Sequence, residues 1–539
     1  MPTTFNFKPI IDLPEWRPLA VAPNASSSGN PLICDLRNTK DRHPEIFQLI
    51  SNTIFNSYQV ENDGWSFVGS PGLTGAVGAG SAGIFVPSQG ARGSIASGAT
   101  TTKITPSSAL LVTLGLNQLA ARSDRRGYRI KIVDNGSGGT GKTEEKLIRA
   151  NTSSSTPLIT LDSALSFTPV AGSTFEILSG RAYCLGSSVT PGFKYYDPAL
   201  NLFSGSLSVT NLPAAITIDS SLVALDELYV PYTNVPGEGF VVGTSTYNNG
   251  LYRCLLATAI SSTTITGQSA SGDANVLANE YRNFQIRIVE DTVNIGSVGQ
   301  RRRITSHTAG ASAVYTIPTW SVTPSANAKF VIESNNDILL WTSGNNSTYS
   351  YTASSVSGGQ TADSWSTATW ANRPTAINTG CSSFQAFGML LDADKNLRYS
   401  QIYSFKGGNV LTLDILDIAG SATGSWSSSV PYSNSGITFG SGTCLVYDPV
   451  GIAPATGDID TRGCNAYINL NGTSNFYKFD AFTRSLIQYP QLRYTQGTPQ
   501  AGQRMAMTTF IDNVDNTKVS LIITQRASGA EMFQILTQR

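Results

Sequence analysis

An internal repeat constrains this chain more than any single motif. The segment GYRIKIVDNGSGGTGKTEEKLIRA at 127–150 aligns with NFQIRIVEDTVNIGSVGQRRRITS at 283–306, at a constant offset of 156 residues. Apolar residues match in register, and Ile132 for example aligns with Ile288. Self-similarity of this kind indicates that one structural unit occurs twice.

The repeat continues on both sides of this match. With a one-residue gap, 167–179 aligns with 322–334, and upstream 93–104 resembles 255–266. Apolar and polar residues alternate along these segments, which is typical of half-buried strands. We therefore predict two homologous small β modules, at 93–179 and 256–334, inserted into a larger domain. Each module is expected to follow a strand of one sheet and to return to the next sheet.

A recurrent pattern fills the remainder, 180–255 and 335–539. An aromatic strand, often ending in Asp, leads through a loop to an apolar residue, as in GFKYYDPALNLF, NVLTLDILDIAGSATGSW and NFYKFDAFTRSLIQY. Units of about 45–60 residues with four strands each are typical of blades of a kelch-like β-propeller. We predict a mainly β protein with about five to seven blades. A pair of β-sandwiches is the alternative.

The N-terminal region, 1–92, is predicted to be a docking region with one helix and glycine-rich loops. In DRHPEIFQLISNTIFNSYQ, Phe47, Ile50 and Ile54 would lie on one helical face, and Pro44 suits a first helical turn. The glycine-rich stretch that follows disfavours a further helix. Phe47, Ile50 and Ile54 are therefore candidate interface residues.

Charge excludes several functional classes. Lys+Arg and Asp+Glu both number 36, and charged residues make up 13% of the chain, about half the usual 25%. A balanced chain is poorly suited to neutralising many phosphates, so we expect no sequence-specific nucleic-acid partner. The 22 Phe and 21 Tyr residues provide material for a core, which argues against disorder. No apolar run is long enough to span a membrane, and we expect no membrane partner.

Residues 136–143, GSGGTGKT, satisfy the phosphate-loop pattern GxxxxGK[ST]. A real phosphate loop follows a buried strand and precedes a substantial helix. Here the preceding strand places Arg129 and Lys131 outward, and the second copy lacks the motif. We predict a hairpin turn and no cofactor. The residues judged to be a chance match are Gly136, Gly141, Lys142 and Thr143.

No catalytic or metal-binding constellation is predicted. None of the six cysteines lies in a CxxC pair, and His43 and His307 complete no ligand spacing with them, so we expect no metal site. GAGSAG at 78–83 precedes no helix, which disfavours a dinucleotide site. The carboxylates Asp414 and Asp417 are three residues apart and would face opposite ways on a strand. We interpret them, with Asp392 and Asp394, as solvated turn and edge residues and predict a non-enzyme.

The remaining candidates are basic and aromatic. Arg301, Arg302 and Arg303, together with Lys142 and Lys146, are placed at solvated module tips, where neighbouring molecules could contact them. A set of aromatic side chains could stack on sugars, but such residues more often pack between propeller blades. This set is Trp320, Trp365, Trp370, Trp426, Tyr349 and Tyr351.

Taken together, these features resemble tailed-bacteriophage virion proteins. The shared features are low charge, abundant Gly, Ser, Thr and Asn, and small β modules such as GTGKTEEKLI...ITLDSALSFTPVAGSTFEILSGRAY, which looks like the inserts of phage capsid and tail components. A propeller core with an N-terminal helix resembles the tail nozzle, or hub, proteins of short-tailed phages.

This resemblance implies a non-enzymatic ring homo-oligomer of the virion, located between the head–tail connector and the distal tail. Its partners would be further copies of itself, neighbouring virion proteins and fibre proteins. The start of the chain lacks a basic and then apolar leader, so we expect assembly in the host cytoplasm. A capsid decoration protein and a host-glycan-binding adhesin or fibre-attachment protein are the alternatives.

Overall fold

The computed structural model is nearly all β, with 46% of the chain in strands. The described part of the chain contains a 3-10 turn at Ile295–Ser297 and no α-helix. The residues that the structure describes are 16–25, 30–34, 45–60, 62–86, 89–120, 127–187, 190–216, 219–225, 254–268, 277–354, 362–391, 397–432, 437–440, 443–447, 465–470, 473–481, 484–490, 504–511, 518–525, 530 and 532–538.

The strands are numbered in chain order. Before the second module they are β1 (Trp16–Leu19), β2 (Leu32–Cys34), β3 (Glu45–Leu49), β4 (Phe55–Gln59), β5 (Gly64–Gly69), β6 (Ala82–Val86), β7 (Arg92–Ser94), β8 (Lys103–Ile104), β9 (Arg129–Val133), β10 (Thr143–Asn151), β11 (Ile159–Leu161), β12 (Thr174–Leu178), β13 (Arg181–Gly186), β14 (Gly192–Asp197), β15 (Leu202–Phe203) and β16 (Ser220–Ala224). The second module contains β17 (Cys254–Ile260), β18 (Thr264–Gln268), β19 (Gln285–Glu290), β20 (Arg301–Arg303), β21 (Ser306–His307), β22 (Val314–Thr316) and β23 (Lys329–Glu333). After it come β24 (Ile338–Thr342), β25 (Tyr349–Thr352), β26 (Ser364–Ser366), β27 (Ser382–Leu391), β28 (Leu397–Phe405), β29 (Thr412–Asp417), β30 (Ser425–Pro431), β31 (Cys444–Tyr447), β32 (Asn465–Asn469), β33 (Phe476–Asp480), β34 (Ser485–Tyr489), β35 (Arg504–Ile511), β36 (Lys518–Gln525) and β37 (Met532–Gln538).

Six of the sheets have four strands each. In order they are sheet 1 (β2-β3-β4-β5), sheet 2 (β6-β13-β14-β15), sheet 3 (β16-β24-β25-β26), sheet 4 (β27-β28-β29-β30), sheet 5 (β31-β32-β33-β34) and sheet 6 (β35-β36-β37-β1). Neighbouring strands within them are antiparallel. Their first strands contact one another in a series: β2 with β6, β6 with β16, β16 with β27, β27 with β31, β31 with β35, and β35 with β2. The series therefore returns to the strand on which it began.

Aromatic side chains fill the spaces between successive sheets. The ring pairs are Phe47–Tyr196 for sheets 1 and 2, Phe193–Trp365 for sheets 2 and 3, Trp341–Trp426 for sheets 3 and 4, Phe384–Phe479 for sheets 4 and 5, and Trp16–Phe476 for sheets 5 and 6. Tyr58 of sheet 1 and Ile523 of sheet 6 share a further buried cluster. Burial of such rings is a large apolar contribution to stability.

The predicted N-terminal helix is wrong. Residues 45–59 form the hairpin of β3 and β4, in which Phe47 pairs with Ser57 and the Ile50 N–H donates to the Ile54 carbonyl at 3.1 Å. Phe47 is buried, whereas Ile50 and Ile54 are half-buried beside the turn. A short run of branched and aromatic residues suits a strand buried on both faces, and its apolar spacing alone cannot distinguish that strand from a helix.

Each module is inserted within one sheet. The first lies between β6 and β13, which pair with each other in sheet 2, and the second lies between β16 and β24, which pair in sheet 3. The prediction that each module returns to the next sheet is therefore wrong. Both modules instead occupy the same connection, between the first and second strands, in two consecutive sheets.

The two modules have matching strand arrangements. The order is β7-β12-β9-β10-β11-β8 in the first module and β20-β19-β23-β17-β18-β22-β21 in the second. Equivalent strands have the same neighbours around each curled sheet, but the sheet opens between β7 and β8 in the first module and between β20 and β21, which together correspond to β10, in the second. In the first module a bridge between Ile95 and Pro106 brings the two edge strands together. In the second, Ile304 and Thr305 join the edge strands β20 and β21 and hydrogen bond to Phe284 and Thr316 respectively. Each sheet thus curls round on an apolar interior.

Candidate interaction site: the paired modules

A row of charged side chains crosses the outer face of the first module. Arg92, Glu176, Lys131 and Glu145 are successive cross-strand neighbours on β7, β12, β9 and β10. Lys131 Nζ lies 2.8 Å from Glu176 Oε2, and Arg92 Nη2 lies 3.0 Å from Glu176 Oε1. Glu176 therefore joins two cations on its own sheet.

The second module also carries an acid between two arginines. Arg287 Nε lies 2.9 Å from Glu333 Oε2, and Arg301 Nε lies 2.8 Å from Glu333 Oε1. All three side chains are buried. Charge-assisted hydrogen bonds of this length are among the stronger polar contacts in proteins.

These two charged surfaces influence each other across the modules. Burial lowers the pKa of Lys131. Glu176 opposes this shift, whereas Arg287 and Arg301 of the second module reinforce it. Burial opposes ionisation of Glu176, but Arg92, Lys131 and Arg301 hold the pKa of this carboxyl well below its usual range. The charged residues of the two modules are therefore close enough to change one another's pKa values, and we call them together the ionic layer.

This layer explains why part of the sequence interpretation of β9 is wrong. Arg129 and Lys131 do alternate with the interior residues Ile130 and Ile132, as predicted. They are nevertheless buried, not solvated. A face that points out of its own module is covered here by the other module.

The loop of the phosphate-loop pattern contacts the second module directly. The Asp291 N–H donates to the Gly141 carbonyl at 2.9 Å, and Asn135 Nδ2 donates to the Val298 carbonyl at 3.2 Å. Gly141 has φ +68°, and a Cβ added there would lie 1.9 Å from the Asp291 carbonyl oxygen. Only glycine satisfies both conditions.

The predicted hairpin at this loop is confirmed, because β9 and β10 pair antiparallel on either side of it. Thr143 begins strand β10, where a phosphate loop requires a helix. Gly136 lies against the Ala171 carbonyl oxygen, and Lys142 is half-buried. The glycines of this segment thus serve close backbone packing.

Two aspartates order the facing loops. Burial opposes ionisation of Asp134, but hydrogen bonds from Ser173, Thr140 and Val170 lower its pKa. Asp291 behaves in the same way. Burial opposes its ionisation, but hydrogen bonds from Ser325 and other donors lower its pKa. Ser325 Oγ donates to Asp291 Oδ1 at 2.6 Å, and the Thr140 N–H donates to Asp134 Oδ2 at 2.6 Å. Each carboxylate ties two loops of its own module together.

The arginine run is not at a solvated tip, so that prediction is wrong. Arg301, Arg302 and Arg303 form strand β20, and each is 8% exposed. Arg302 donates to the Thr319 carbonyl at 2.8 Å and lies over the Trp320 ring at 5.4 Å. The prediction also fails for Lys146, which is buried with Nζ 3.5 Å from Glu144.

Arg303 is one of the residues that attach the second module to the four-stranded sheets. Its Nη2 donates to Asn283 Oδ1 at 2.8 Å, and its guanidinium lies 4.7 Å from the Trp370 ring centre. Asn283 Nδ2 in turn donates to the carbonyls of Ile418 at 2.6 Å and Ser421 at 2.8 Å, beyond strand β29. The second module is therefore fixed to sheet 4.

Asp337 completes this attachment next to strand β24. It is fully buried and accepts hydrogen bonds from Trp370 Nε1 at 2.9 Å and Thr352 Oγ1 at 2.6 Å. Burial raises its pKa, against the attraction of Arg303. This carboxyl is enclosed by donors and has no open approach for a substrate.

Asp414 is also buried, which corrects its interpretation as a solvated turn residue. Its carboxylate lies 2.8 Å from Arg373 Nη2 and 3.2 Å from Lys406 Nζ. Asp417 is half-buried and accepts a hydrogen bond from the Ala419 N–H at 3.0 Å. Asp392 and Asp394 lie outside the described residues. Asp414 is thus part of an ion-paired core within sheet 4.

The candidate sugar-stacking aromatic residues are core residues, except for the half-buried Trp426. Trp365 and Tyr351 pack between sheets 2 and 3, and Trp426 Nε1 donates to the Ala371 carbonyl at 2.9 Å. In the described part of the chain no three His, Cys, Asp or Glu side chains come together as metal ligands. Among the same residues, no helix has the length and apolarity that crossing a membrane requires.

Comparison with known proteins gives no family. No family model and no curated protein matches the chain. Among solved structures, the chain is similar to a Bacteroides thetaiotaomicron protein of unknown function at 9% identity, covering 95% of this chain and 100% of that one, with a TM-score of 0.25. It is also similar to the NanB sialidase of Streptococcus pneumoniae at 8% identity, with 83% and 94% coverage and a TM-score of 0.20. A leech intramolecular trans-sialidase matches at 8% identity, with 97% and 94% coverage and a TM-score of 0.22. TM-scores this low transfer no function.

Sequence reasoning missed the two acids at the centre of the ionic layer, Glu176 and Glu333. A usable signal was present, because basic residues alternate with apolar ones in both YRIKIV and FQIRIV. A charge repeated at one position in both copies indicates a shared outer face. Its burial depends on how the copies pack, which neither copy encodes alone.

Proposed function

We propose that the six four-stranded sheets are the blades of a kelch-like β-propeller. The contact series through β2, β6, β16, β27, β31 and β35 supports this proposal because it returns to its start. Sheet 6 also combines β1 with β35–β37, so strands from both ends of the described chain share one sheet. Six blades fall within the number that the sequence predicts, and three of them, sheets 1, 2 and 6, include strands from residues before 93.

We further propose that the protein is a non-enzymatic structural component of a phage virion. Within the virion it would be a tail nozzle or hub ring protein, assembled in the host cytoplasm and joining the head–tail connector to the distal tail. The phage assignment rests on the resemblance in sequence. The observation that carries the structural role is the ionic layer, in which Glu176 and Glu333 each bind two cations of their own module and the two sets face each other.

An enzyme of this size would be expected to hold its perturbed titratable groups where a substrate can reach them. Here the shifted carboxyls Glu176 and Asp337 are buried and bound by neighbouring side chains. Both carboxyls therefore serve internal contacts, Glu176 within the first module and Asp337 where the second module is attached to the sheets. Rigid modules with a sparsely charged surface suit large interfaces, because few hydrated ions must be desolvated.

The decisive experiment is cryo-electron microscopy of intact particles with a count of copies. The proposal predicts a single ring of this chain around the tail axis. Many copies across the shell would instead indicate capsid decoration, and a position at a fibre base with glycan binding would indicate an adhesin. Absence from the particle would contradict the virion role altogether.

The non-enzymatic part of the proposal has its own test. Wild type and Asp414→Asn are incubated with a panel of polysaccharides, and released reducing ends are measured. The proposal predicts no turnover by either protein. Turnover that disappears in Asp414→Asn, with the fold retained by circular dichroism, would replace the structural role by a glycan-degrading one.

A further inference from the structure

A buried histidine holds one loop of the second module. The ring of His307, on β21, lies beside those of Tyr281 and Tyr315, with ring centres 5.9 and 5.0 Å away. The Tyr281 N–H donates to Nε2 at 2.8 Å, and Nδ1 lies 2.9 Å from the Thr308 carbonyl oxygen. A backbone N–H only donates and a carbonyl only accepts, so Nε2 is the acceptor and Nδ1 carries the proton. These two hydrogen bonds fit only the neutral ring.

A second proton on this ring would break its contact with Tyr281. The proton would occupy Nε2, leave the Tyr281 N–H without its acceptor and place a charge among buried side chains. An imidazole in water takes up this proton near pH 6.5. Because the closed loop needs the neutral ring, its stability is present in full above about pH 6.5 and is lost progressively as the pH falls below that value.

The loop that this ring holds, 277–283, carries two charged residues, Glu280 and Arg282. Strand β22, which pairs with β21, brings the Tyr315 hydroxyl, and no Asp, Glu, Lys or Arg occurs in the sequence 304–328. Arg303 precedes that stretch and is bound within the attachment to sheet 4. Among these groups the imidazole is the one whose charge ordinarily changes between pH 7 and pH 5.

The same loop attaches the second module to sheet 4. The Asn279 N–H donates to the His307 carbonyl at 3.1 Å, and the His307 N–H donates to Asn279 Oδ1 at 2.9 Å. Two residues after Tyr281, Asn283 Nδ2 donates to two carbonyls of the β29–β30 turn. Asn279 and Asn283 both have positive φ, 61° and 69°. A displaced Tyr281 backbone would therefore move the adjoining attachment to sheet 4.

The first module makes the corresponding contacts without a titratable group. The Leu119 N–H donates to Asn151 Oδ1 at 2.8 Å, where the Tyr281 N–H meets the imidazole in the second module. From the same turn, Gln118 Nε2 donates to the Ala199 carbonyl at 2.8 Å, in the β14–β15 turn of sheet 2. A side-chain amide gains no proton near neutral pH. The attachment of the first module is therefore insensitive to mild acid at this position.

We propose that His307 is an acid-sensitive switch that fixes the second module to sheet 4 at neutral pH and releases loop 277–283 when the ring is protonated. A proton taken from water at Nε2 removes the Tyr281 contact, the loop leaves β21, and Asn283 withdraws from the β29–β30 turn. The first module stays attached, because Asn151 holds its turn. This inference concerns the attachment of one module and is independent of the virion role.

Amide hydrogen exchange of the full chain at about pH 7.5 and about pH 5 tests the switch, after correction for the intrinsic pH dependence of exchange. If only the open loop takes up the proton, the open population rises by about thirtyfold between these pH values. Protection in 277–284 should fall by that factor in wild type, while protection in 115–119 should not. An equal loss in both segments, or no loss in 277–284, would overturn the proposal.

Two variants separate His307 from other titrating groups. His307→Asn supplies the acceptor of the first module and should abolish the pH dependence in 277–284, whereas His43→Asn, at the other histidine of the sequence, should retain it. A pH dependence that persists in His307→Asn would contradict the switch.

Nitrogen NMR gives a readout that does not depend on the folding of His307→Asn. His43→Asn leaves His307 as the single histidine, and its Nε2 should be unprotonated at about pH 7.5. A proton on Nε2 at that pH would reject the switch. So would a ring that gains its second proton on acidification while 277–284 stays protected.

Discussion

The two modules reach one strand arrangement with different charges and turn residues. Lys131 and Arg287 occupy the same position in the repeat, but the acids do not, since Glu176 aligns with Val331 and Glu333 with Leu178. In both modules the acid nevertheless bridges two cations. The comparison teaches that the apolar interior defines this fold, whereas the outer charges are paired differently in each copy.

One turn likewise keeps its geometry in both modules while its hydrogen-bond acceptor differs. Asn117 and Asn279 both have positive φ, 54° and 61°. In the first module the Leu119 N–H donates to Asn151 Oδ1 at 2.8 Å. In the second the Tyr281 N–H donates to His307 Nε2, also at 2.8 Å. An amide oxygen and an imidazole nitrogen thus act as equivalent acceptors.

The largest expected effect is from Glu333→Gln. Removing this charge leaves Arg287 and Arg301 buried without their shared counter-ion, which should cost about 3–5 kcal/mol of unfolding free energy. Denaturant unfolding monitored by tryptophan fluorescence measures the loss. The matched control is Glu290→Gln, because the Glu290–Lys329 pair is partly exposed and should contribute less than about 1 kcal/mol. Equal losses of unfolding free energy in Glu333→Gln and Glu290→Gln would contradict the special role of the buried acid.

The next effect concerns the loop that joins the modules. Gly141→Ala adds a Cβ against the Asp291 carbonyl in addition to the strain of positive φ, and should cost about 2–4 kcal/mol. Gly138→Ala has φ +79° with open space around the new atom, so it should cost only about 1 kcal/mol. Amide exchange at Asp291 should accelerate in Gly141→Ala alone. If both variants exchange alike, the loop does not hold the modules together.

A smaller effect tests the equivalence of the turn acceptors. His307→Asn substitutes the acceptor type that the first module uses and should change stability by less than about 1 kcal/mol. His307→Ala leaves the Tyr281 N–H buried without an acceptor and should cost about 1–3 kcal/mol. Thermal unfolding of the two variants decides between them. A loss in His307→Asn as large as in His307→Ala would show that the copies use this position differently.

The smallest effect is a pH dependence from the loop aspartates. Hydrogen bonds hold the pKa of Asp291 below its ordinary value, so the ionised form stabilises the fold. That stability is present above the unfolded pKa of about 3.9 and is lost as the pH falls below it. Unfolding midpoints should drop between pH 5 and pH 3 more steeply in wild type than in Asp291→Asn. A steeper drop in the variant would reverse this assignment.

Sequence patterns predict the β class and the repeat because strand periodicity is local. The hairpin at 134–142 also follows from sequence, since its flanking strands alternate clearly. The burial of Arg301 and Lys131 does not follow, because it arises only when one module covers the other. The strand at 45–49 was also beyond local reasoning, because sheet packing on both sides buries Ile46 and Phe47 alike.

A double-mutant cycle between Glu176 and Arg301 most directly tests the claim that charged residues bind the modules to each other. The two residues belong to different modules, and Arg301 contributes to lowering the pKa of Glu176. Unfolding free energies are measured for wild type, Glu176→Gln, Arg301→Gln and the double variant. The account predicts a favourable coupling of about 0.5–3 kcal/mol. Additivity within about 0.3–0.5 kcal/mol would contradict it.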